Sequence, residues 1–434
     1  MPQRVKRVDL CGRGAYNQPI VWARFGVSGD FDPPRMRILM IAPEPFFEPR
    51  GTPFSEYHRI RALLELGHTV DLVTYPFGQD VSLPGLRIFR CGRPPFLRGV
   101  RVGPSAAKLV LDVALAVTAL RRALAESYDV VHSHEEGAAI GVGLAAALGL
   151  PHLYDMHSSL PQQLGNFGYS RSRVLRRLFE RFERLAVRRS RVVIVICPEL
   201  RERVREVDPD VEPVLIENAP GAGETRASLD GAAIRRSHGV PPDAPLVVYT
   251  GTFEAYQGLD LLFGAAARVR RERPDARFLL AGGRPDQVEM ARDETSAAGL
   301  AGALIFAGER PAAEIPAYLE AADVLVSPRS RGTNTPLKIY QYLRAGRPIV
   351  ATALRTHTQV LSDEVAILTD ATAEAFAHGI LRALSDPAAA SVLGARAARL
   401  AASKYSYDAY LARTREAMAR LSTGGAAEVA GGVA

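Results

Sequence analysis

Apolar positions in the first half of the chain fall in short runs separated by stretches of helical spacing. Arg37–Ala42 is an apolar run of strand length, and Val70–Tyr75, Leu86–Arg90, Tyr128–His134, His152–Met156 and Val192–Cys197 read as further strands. Between them the pattern predicts helices over roughly Pro53–Leu66, Ser105–Glu126, 137–149 and the basic stretch around 171–191. The same alternation restarts at Leu246–Thr250 and continues through Arg277–Ala281, Ala303–Ala307, Asp323–Ser327, Pro348–Thr352 and Val365–Leu368. Strand and helix in turn imply parallel sheets covered on both faces. The chain is therefore expected to be α/β, with two doubly wound domains and a cleft between the carboxyl ends of their strands, where open α/β sheets bind ligands.

Composition sets the boundaries. Residues 216–245, rich in Gly, Ala, Pro and Asp, read as a linker. The expected division is an irregular N-terminal extension at 1–35, a first domain at 36–215, the linker at 216–245 and a second domain at 246–405. A bracing helix at 406–421 and a disordered tail at 422–434 complete it. Met36 directly precedes the first strand and is a candidate start. With 434 residues, two large domains are the expected number.

One helix carries the most chemistry. Thr335 reads as its N-cap, Pro336 as its first residue, and Gly346 with Pro348 as its stop. Lys338 falls in the first turn, the wrong sign for the helix dipole unless an anion sits there. Gln341 lies one turn on, on the same face. Gly51-Thr52, between the first strand and the first helix, can let a main-chain N–H approach a phosphate. His132, His134 and Glu135 close a strand, with the two histidines on one face. No third His or Cys stands at a metal-binding spacing, so no metal is assigned. His157 ends the strand Tyr154-Asp155-Met156 and can donate a hydrogen bond to a developing charge or a sugar hydroxyl. Tyr249–Leu262 runs from strand through the loop of Gly251, Thr252 and Gln257 into a helix, a pattern suited to an anion.

Two other strings carry nothing of this kind. Gly141-Val142-Gly143-Leu144-Ala145-Ala146 looks like a dinucleotide fingerprint but lies inside a helix, which reads as close packing. Asp208-Pro209-Asp210 sits in a Pro-broken loop, an unsuitable setting for a metal–diphosphate motif.

The net charge of +7 is concentrated in Arg171–Arg191, which holds nine Arg and two Glu. Val174, Leu178, Phe182 and Leu185 recur there at helical spacing and read as a core-facing stripe beneath a solvated basic face. A surface for anionic lipid is the sharper reading. Nucleic acid is not expected, because no aromatic residues are interleaved for base stacking. Cys11, Cys91 and Cys197 are few, odd in number and widely spaced, which fits a reducing cytoplasm. No apolar run is long enough to span a membrane.

Taken together, the Gly51 loop, the Tyr154–His157 strand end, the Gly251–Leu262 segment and the Pro336–Pro348 helix resemble the family 4 retaining glycosyltransferases. The resemblance covers about 36–420. It implies GT-B architecture, two Rossmann-like domains facing each other across a cleft, and transfer of a sugar from a UDP- or GDP-linked donor to a glycan or lipid-linked acceptor. No cofactor is implied, and no metal. The N-terminal domain would hold the acceptor, near His134 and Glu135, and the C-terminal domain the nucleotide. Gly51 would offer its N–H to the diphosphate, with Thr52 beside it, and His157 matches the histidine that contacts the donor sugar. His157 and Lys338 are the expected catalytic residues. Gly251, Thr252, Gln257, Thr333, Asn334, Thr335, Leu337 and Gln341 are expected around the donor.

Four of these positions depart from the family pattern. An Arg and a Lys are replaced by Thr252 and Gln257, and a Glu-x7-Glu pair by Thr333 and Gln341. Lys338, with Arg329 or Arg331, is expected to supply the missing positive charge. The lost charges motivate a second reading, a weak or inactive member that binds a glycan, lipid or protein. The expected location is the cytoplasm, with peripheral contact at the inner membrane face through Arg171–Arg191.

Overall fold

Strand β1 (Arg37–Ala42) lies inside a seven-stranded sheet, flanked by a neighbour on each side. The computed structural model describes residues 34–47, 51–95, 97, 99, 106–159, 161–162, 173–218 and 230–422. The expected extension at 1–35 and tail at 422–434 fall almost wholly outside the described residues, as does part of the expected linker.

After β1 come α1 (Gly51–Glu65), β2 (Thr69–Thr74), β3 (Leu86–Arg90), α2 (Ala106–Ala125), β4 (Val130–His134) and α3 (Ala138–Leu148). They are followed by β5 (His152–Met156), α4 (Arg173–Arg189), β6 (Val192–Val195), α5 (Pro198–Val207) and β7 (Val214–Leu215). The strand order is β3-β2-β1-β4-β5-β6-β7, and every neighbouring pair is parallel. All residues of β4 and β5 are buried, as expected where helices cover both faces. Chain order reverses between β1 and β4. The carboxyl ends of these strands are therefore a switch point, where ligands of such sheets bind.

The second sheet is built the same way. Its elements are α6 (Gly231–Ser237), β8 (Leu246–Thr250), α7 (Leu259–Glu272), β9 (Arg277–Ala281), α8 (Pro285–Ala297), β10 (Leu304–Gly308) and α9 (Ile315–Ala321). β11 (Val324–Ser327), α10 (Leu337–Ala345), β12 (Ile349–Thr352), α11 (Arg355–Thr358), β13 (Ile367–Thr369), α12 (Ala373–Ser385) and α13 (Pro387–Lys404) follow. The six strands run parallel in the order β10-β9-β8-β11-β12-β13, with the switch point at β8 and β11. The chain divides into two compact units. One takes the chain up to Glu217 and again from Tyr410; the other is Asn218–Ala409. The last helix, α14 (Tyr407–Ser422), thus packs mainly with the first unit.

Three local expectations are corrected. The segment read as a linker contains α6, whose start is capped by the Asp230 carboxylate accepting from the Ala233 N–H at 2.7 Å. Arg235 ties it down, donating to the Ala321 carbonyl and to Asp323. Gly231, Ala232 and Ala233 gave this helix no apolar periodicity to read. Helix α1 begins at Gly51, not at Pro53, so Gly51 and Thr52 belong to its first turn. Proline within a first turn forfeits no helical hydrogen bond, so it does not mark the start uniquely.

The third correction concerns α4. Val174, Leu178 and Leu185 are exposed by 77%, 59% and 48%. The helix instead buries Ala186, Val187 and Glu183. Glu183 is neutralised by Arg203 at 2.8 Å and accepts from Ser159 at 2.6 Å, so a charge occupies the inner face that periodicity assigned to leucines.

Gly141 packs closely, as read: a Cβ there would lie 2.5 Å from His152 Nε2. Asp208 accepts from Arg188 Nε at 2.6 Å and from the Asp210 N–H, a structural engagement. Cys91 and Cys197 are buried and form no disulfide. Among the described residues, no helix is long and apolar enough to cross a membrane.

Candidate active site

In the second unit the chemistry gathers where β8 and β11 end. Helix α10 starts one residue later than the sequence suggests. Pro336 is its N-cap, extended at φ −63° and ψ 135°, and Leu337 is its first residue. A proline disfavours helical backbone in the residue before it, so Thr335 stays outside the helix. Its hydroxyl is buried without a hydrogen-bond partner. Gly346 closes the helix in the left-handed conformation, as expected. Tyr342 fixes α10 on the sheet, its hydroxyl accepting from the Thr250 N–H at 2.9 Å.

Lys338 occupies the first turn and is buried. Its Nζ lies 3.9 Å from the centre of the Tyr249 ring and has no hydrogen-bond partner. A Cβ on Gly251 would stand 3.1 Å from that nitrogen. The missing side chain at Gly251 is what lets the lysine approach the loop. Burial, and then the nearby Arg329, hold the Lys338 pKa well below the usual lysine range.

Arg329 is buried too, and Arg331 is exposed. Arg329 donates to the carbonyls of Arg331 at 2.7 Å and Asn334 at 3.2 Å, and stacks 5.0 Å over the Tyr256 ring. Among the described residues no carboxylate pairs with either cation. Two buried positive charges without an acid are costly unless an anion is meant to join them.

Several of the neutral positions expected around the donor are held by hydrogen bonds. Gln257 Nε2 donates to Thr252 Oγ1 at 3.4 Å, while Gln257 Oε1 is buried and unbonded. The Thr252 carbonyl accepts from Tyr249 Oη at 2.7 Å. The Thr333 carbonyl accepts from Gln359 at 2.8 Å, and the Asn334 carbonyl from Thr356 at 2.6 Å. Leu337 and Gln341 are half-buried. Gly251 and Gly282 meet at the ends of β8 and β9. A Cβ at Gly282, where φ is +132°, would fall 1.8 Å from the Gly251 carbonyl oxygen. A groove lined by Gly283, Val288, Phe306 and Glu309 opens nearby.

In the first unit a second cluster forms at the ends of β1, β4 and β5. His132 and His134 share a face, as alternation requires, with rings stacked at 4.7 Å. Asp155 is fully buried, 2.8 Å from Arg59 Nε and 3.1 Å from His157 Nε2. Arg59 comes from α1, donates to Thr414 at 3.1 Å and lies 5.0 Å over the Tyr410 ring. Burial opposes ionisation of Asp155, but Arg59 and His157 hold its pKa well below the usual carboxylate range. Burial also disfavours charge on His157, yet Asp155 raises its pKa above the ordinary value. His134 and His132 are pushed down by burial.

Glu44, Glu56 and Glu135 surround this core. Burial pushes Glu56 up to about 7 and, with Glu136, Glu135 up to about 8. Burial and then Glu56 lift Glu44 well above its usual range. Glu135 adopts φ +45° and accepts from Ser158 at 2.6 Å.

Ligand atoms of His132, His134 and Asp155 lie within 4.8 Å of one another. Asp155 already faces Arg59 and His157, and that positive charge opposes a divalent ion. Sequence reasoning missed Arg59, Glu56 and Asp155 here, and Tyr249 in the second unit. The one available signal was Asp155 two residues before His157, on the same strand face.

Two family models match the chain. One, described as glycosyl transferase 4-like domain, covers residues 57–219, and the other, glycosyl transferases group 1, covers 244–386. A 2-deoxystreptamine N-acetyl-D-glucosaminyltransferase of Streptomyces fradiae is 31% identical over 267 residues, 58% of this chain. The match spans 61% of that relative's length. Among solved structures, sucrose-phosphate synthase from Thermosynechococcus elongatus superposes with a TM-score of 0.73 at 21% identity, covering 89% of this chain and 99% of that one. Anabaena HepE in complex with UDP-glucose gives 0.69 at 16% identity, covering 89% and 100%.

Proposed function

Since the chain belongs to the family 4-like glycosyltransferases of GT-B architecture, we propose that it transfers a sugar from a nucleotide diphosphate sugar, UDP- or GDP-linked, with retention of anomeric configuration and without a metal. The observation that carries this reading is the buried, unpartnered ammonium of Lys338 beside Gly251, with Arg329 as a second cation lacking an acid. HepE, a structural neighbour, was solved with UDP-glucose.

The chemical demand is to stabilise a departing diphosphate while the anomeric carbon gains positive charge. Lys338 and the free N–H groups of the first turn of α10 meet that leaving charge. Thr252 and Gln257 add neutral hydrogen bonds, and Gln341 bonds ribose hydroxyls. Gly51 offers its N–H to the diphosphate. His157 contacts the donor sugar, held in place by Asp155. The acceptor attacks from the face the diphosphate leaves, and a diphosphate oxygen takes its proton. His134 and Glu135 lie on the acceptor side. The acceptor is a glycan, a lipid-linked sugar or, as the name of the Streptomyces fradiae relative suggests, an aminocyclitol.

Nucleotide binding tests this reading. UDP, GDP or ADP, one of the three, is expected to raise the thermal midpoint, by about 2.7 kcal/mol of added stability at a hundredfold excess over Kd. No response to any of them would favour the non-catalytic binding protein.

The exposed Val174, Leu178 and Leu185 among the arginines of α4 support peripheral contact with an anionic membrane. The protein is expected to pellet with anionic liposomes at low salt and to stay in solution with neutral ones. Equal behaviour toward both would remove the membrane from the account.

A further inference from the structure

The loop that leads into α10 is held by its carbonyls. Thr352 Oγ1, at the end of β12, donates to the Arg329 carbonyl at 2.7 Å. From α11 and the residue after it, Thr356 Oγ1 donates to the Asn334 carbonyl at 2.6 Å and Gln359 Nε2 to the Thr333 carbonyl at 2.8 Å. Thr352 and Thr356 are fully buried. On the other side of the loop, the Ser330 N–H donates to the Tyr256 carbonyl at 3.1 Å.

His357 anchors the group. Its ring is fully buried, with Nδ1 2.8 Å from the Thr352 carbonyl and Nε2 2.8 Å from Ser327 Oγ. A carbonyl only accepts, so Nδ1 carries the proton and Nε2 accepts from the serine. Burial lowers the ring's pKa to about 3, which keeps it neutral and in that one tautomer. Ser327 and Thr352 close the neighbouring strands β11 and β12, so the ring pins α11 to the sheet.

These bonds fix direction. In a trans peptide the carbonyl and the N–H of the next residue point opposite ways. Holding the Thr333 and Asn334 carbonyls toward Gln359 and Thr356 turns the N–H groups of Asn334 and Thr335 away from them. Successive N–H groups turned out of a loop suit an anion. They stand just ahead of the helix that carries Lys338.

We propose that Thr356 and Gln359, anchored by His357, are positioning residues that aim the Asn334 and Thr335 N–H groups at the sugar-bearing phosphate of the donor. This deepens the transferase reading and rests on it for the diphosphate. Neither side chain touches the ligand; each acts through the peptide it holds. Main-chain donors thereby make up for the cations absent at Thr252 and Gln257.

The test is titration calorimetry on the full chain with UDP against UMP and GDP against GMP, since a monophosphate lacks the phosphate in question. The wild type is expected to prefer one diphosphate by at least about a hundredfold. Thr356→Val keeps the shape and removes the donor, while Arg329 still serves the Asn334 carbonyl. Thr356→Val and Gln359→Met are each expected to weaken the diphosphate about tenfold and the monophosphate less than about twofold. Thr356→Ser, which returns the hydroxyl, is expected to restore the diphosphate. Equal losses for both nucleotides would mark a merely structural role and overturn the proposal, as would failure of the serine to restore binding. A wild-type preference that survives in both variants sinks this inference alone. A wild type that binds none of the nucleotides sinks the transferase reading and this inference with it.

Discussion

Replacing Lys338 with alanine lowers turnover by at least about tenfold, with the fold intact. The ammonium makes no hydrogen bond, so its removal strands no partner. What is lost is a positive charge aimed at the place where negative charge develops, in a site dry enough for it to matter. Lys338→Met, which keeps the bulk against Tyr249, should lose activity equally and gain stability at neutral pH. The sign follows from proton counts. Burial holds the Lys338 pKa in the folded protein well below its unfolded value of about 10.4, so between the two values the unfolded state binds the extra proton. Wild-type stability should therefore rise with pH, and the advantage of methionine should shrink toward that value. Steady-state kinetics with denaturant unfolding at several pH values reads both. Near-wild-type turnover in Lys338→Ala would refute the role given to it.

The largest effect on stability is expected at Arg59. Arg59→Leu leaves Asp155 buried with His157 as its remaining close cation, a loss of about 3–5 kcal/mol for a broken interior ion pair. The bond to Thr414 and the stacking on Tyr410 go with it. The double variant Arg59→Leu with Asp155→Asn should recover part of the loss, because the stranded charge is then gone. The pH dependence has the opposite sign to that of Lys338. Asp155 has a depressed pKa, so its contribution is complete above the unfolded carboxylate value of about 3.9 and is lost as pH falls below it. Wild-type and Arg59→Leu stabilities should converge in that acid range. A difference under about 1 kcal/mol at neutral pH would show that the pair contributes little.

The inner strands were readable because burial on both faces fills them mostly with apolar residues, whereas β3, at the sheet edge, is only half-buried and keeps Arg87 and Arg90. β1, β3, β5, β8 and β9 fall where the sequence places them, residue for residue. Lys338 stood out because its charge has the wrong sign for a helix start, and His157 because it ends a strand; both side chains are buried. Arg59 and Glu56 did not stand out. They look like ordinary polar residues of a solvated helix face, and only the packing of α1 over Asp155 reverses that. Tyr249 escaped notice because an aromatic residue in a buried strand needs no further reason. The leucines of α4 misled in the other direction. Spacing shows which residues share a face, but the choice of inner face fell to an ion-paired glutamate.

The return of the chain into its first unit at Tyr410 makes Asn218–Ala409 an insertion within that unit. The insert is a contiguous piece and could be excised as one polypeptide. The host could not be recovered by truncation, since stopping at Glu217 discards Tyr410 and Thr414, which cover Arg59. A gene joining Glu217 directly to Tyr410 is the natural recombinant form of the isolated host.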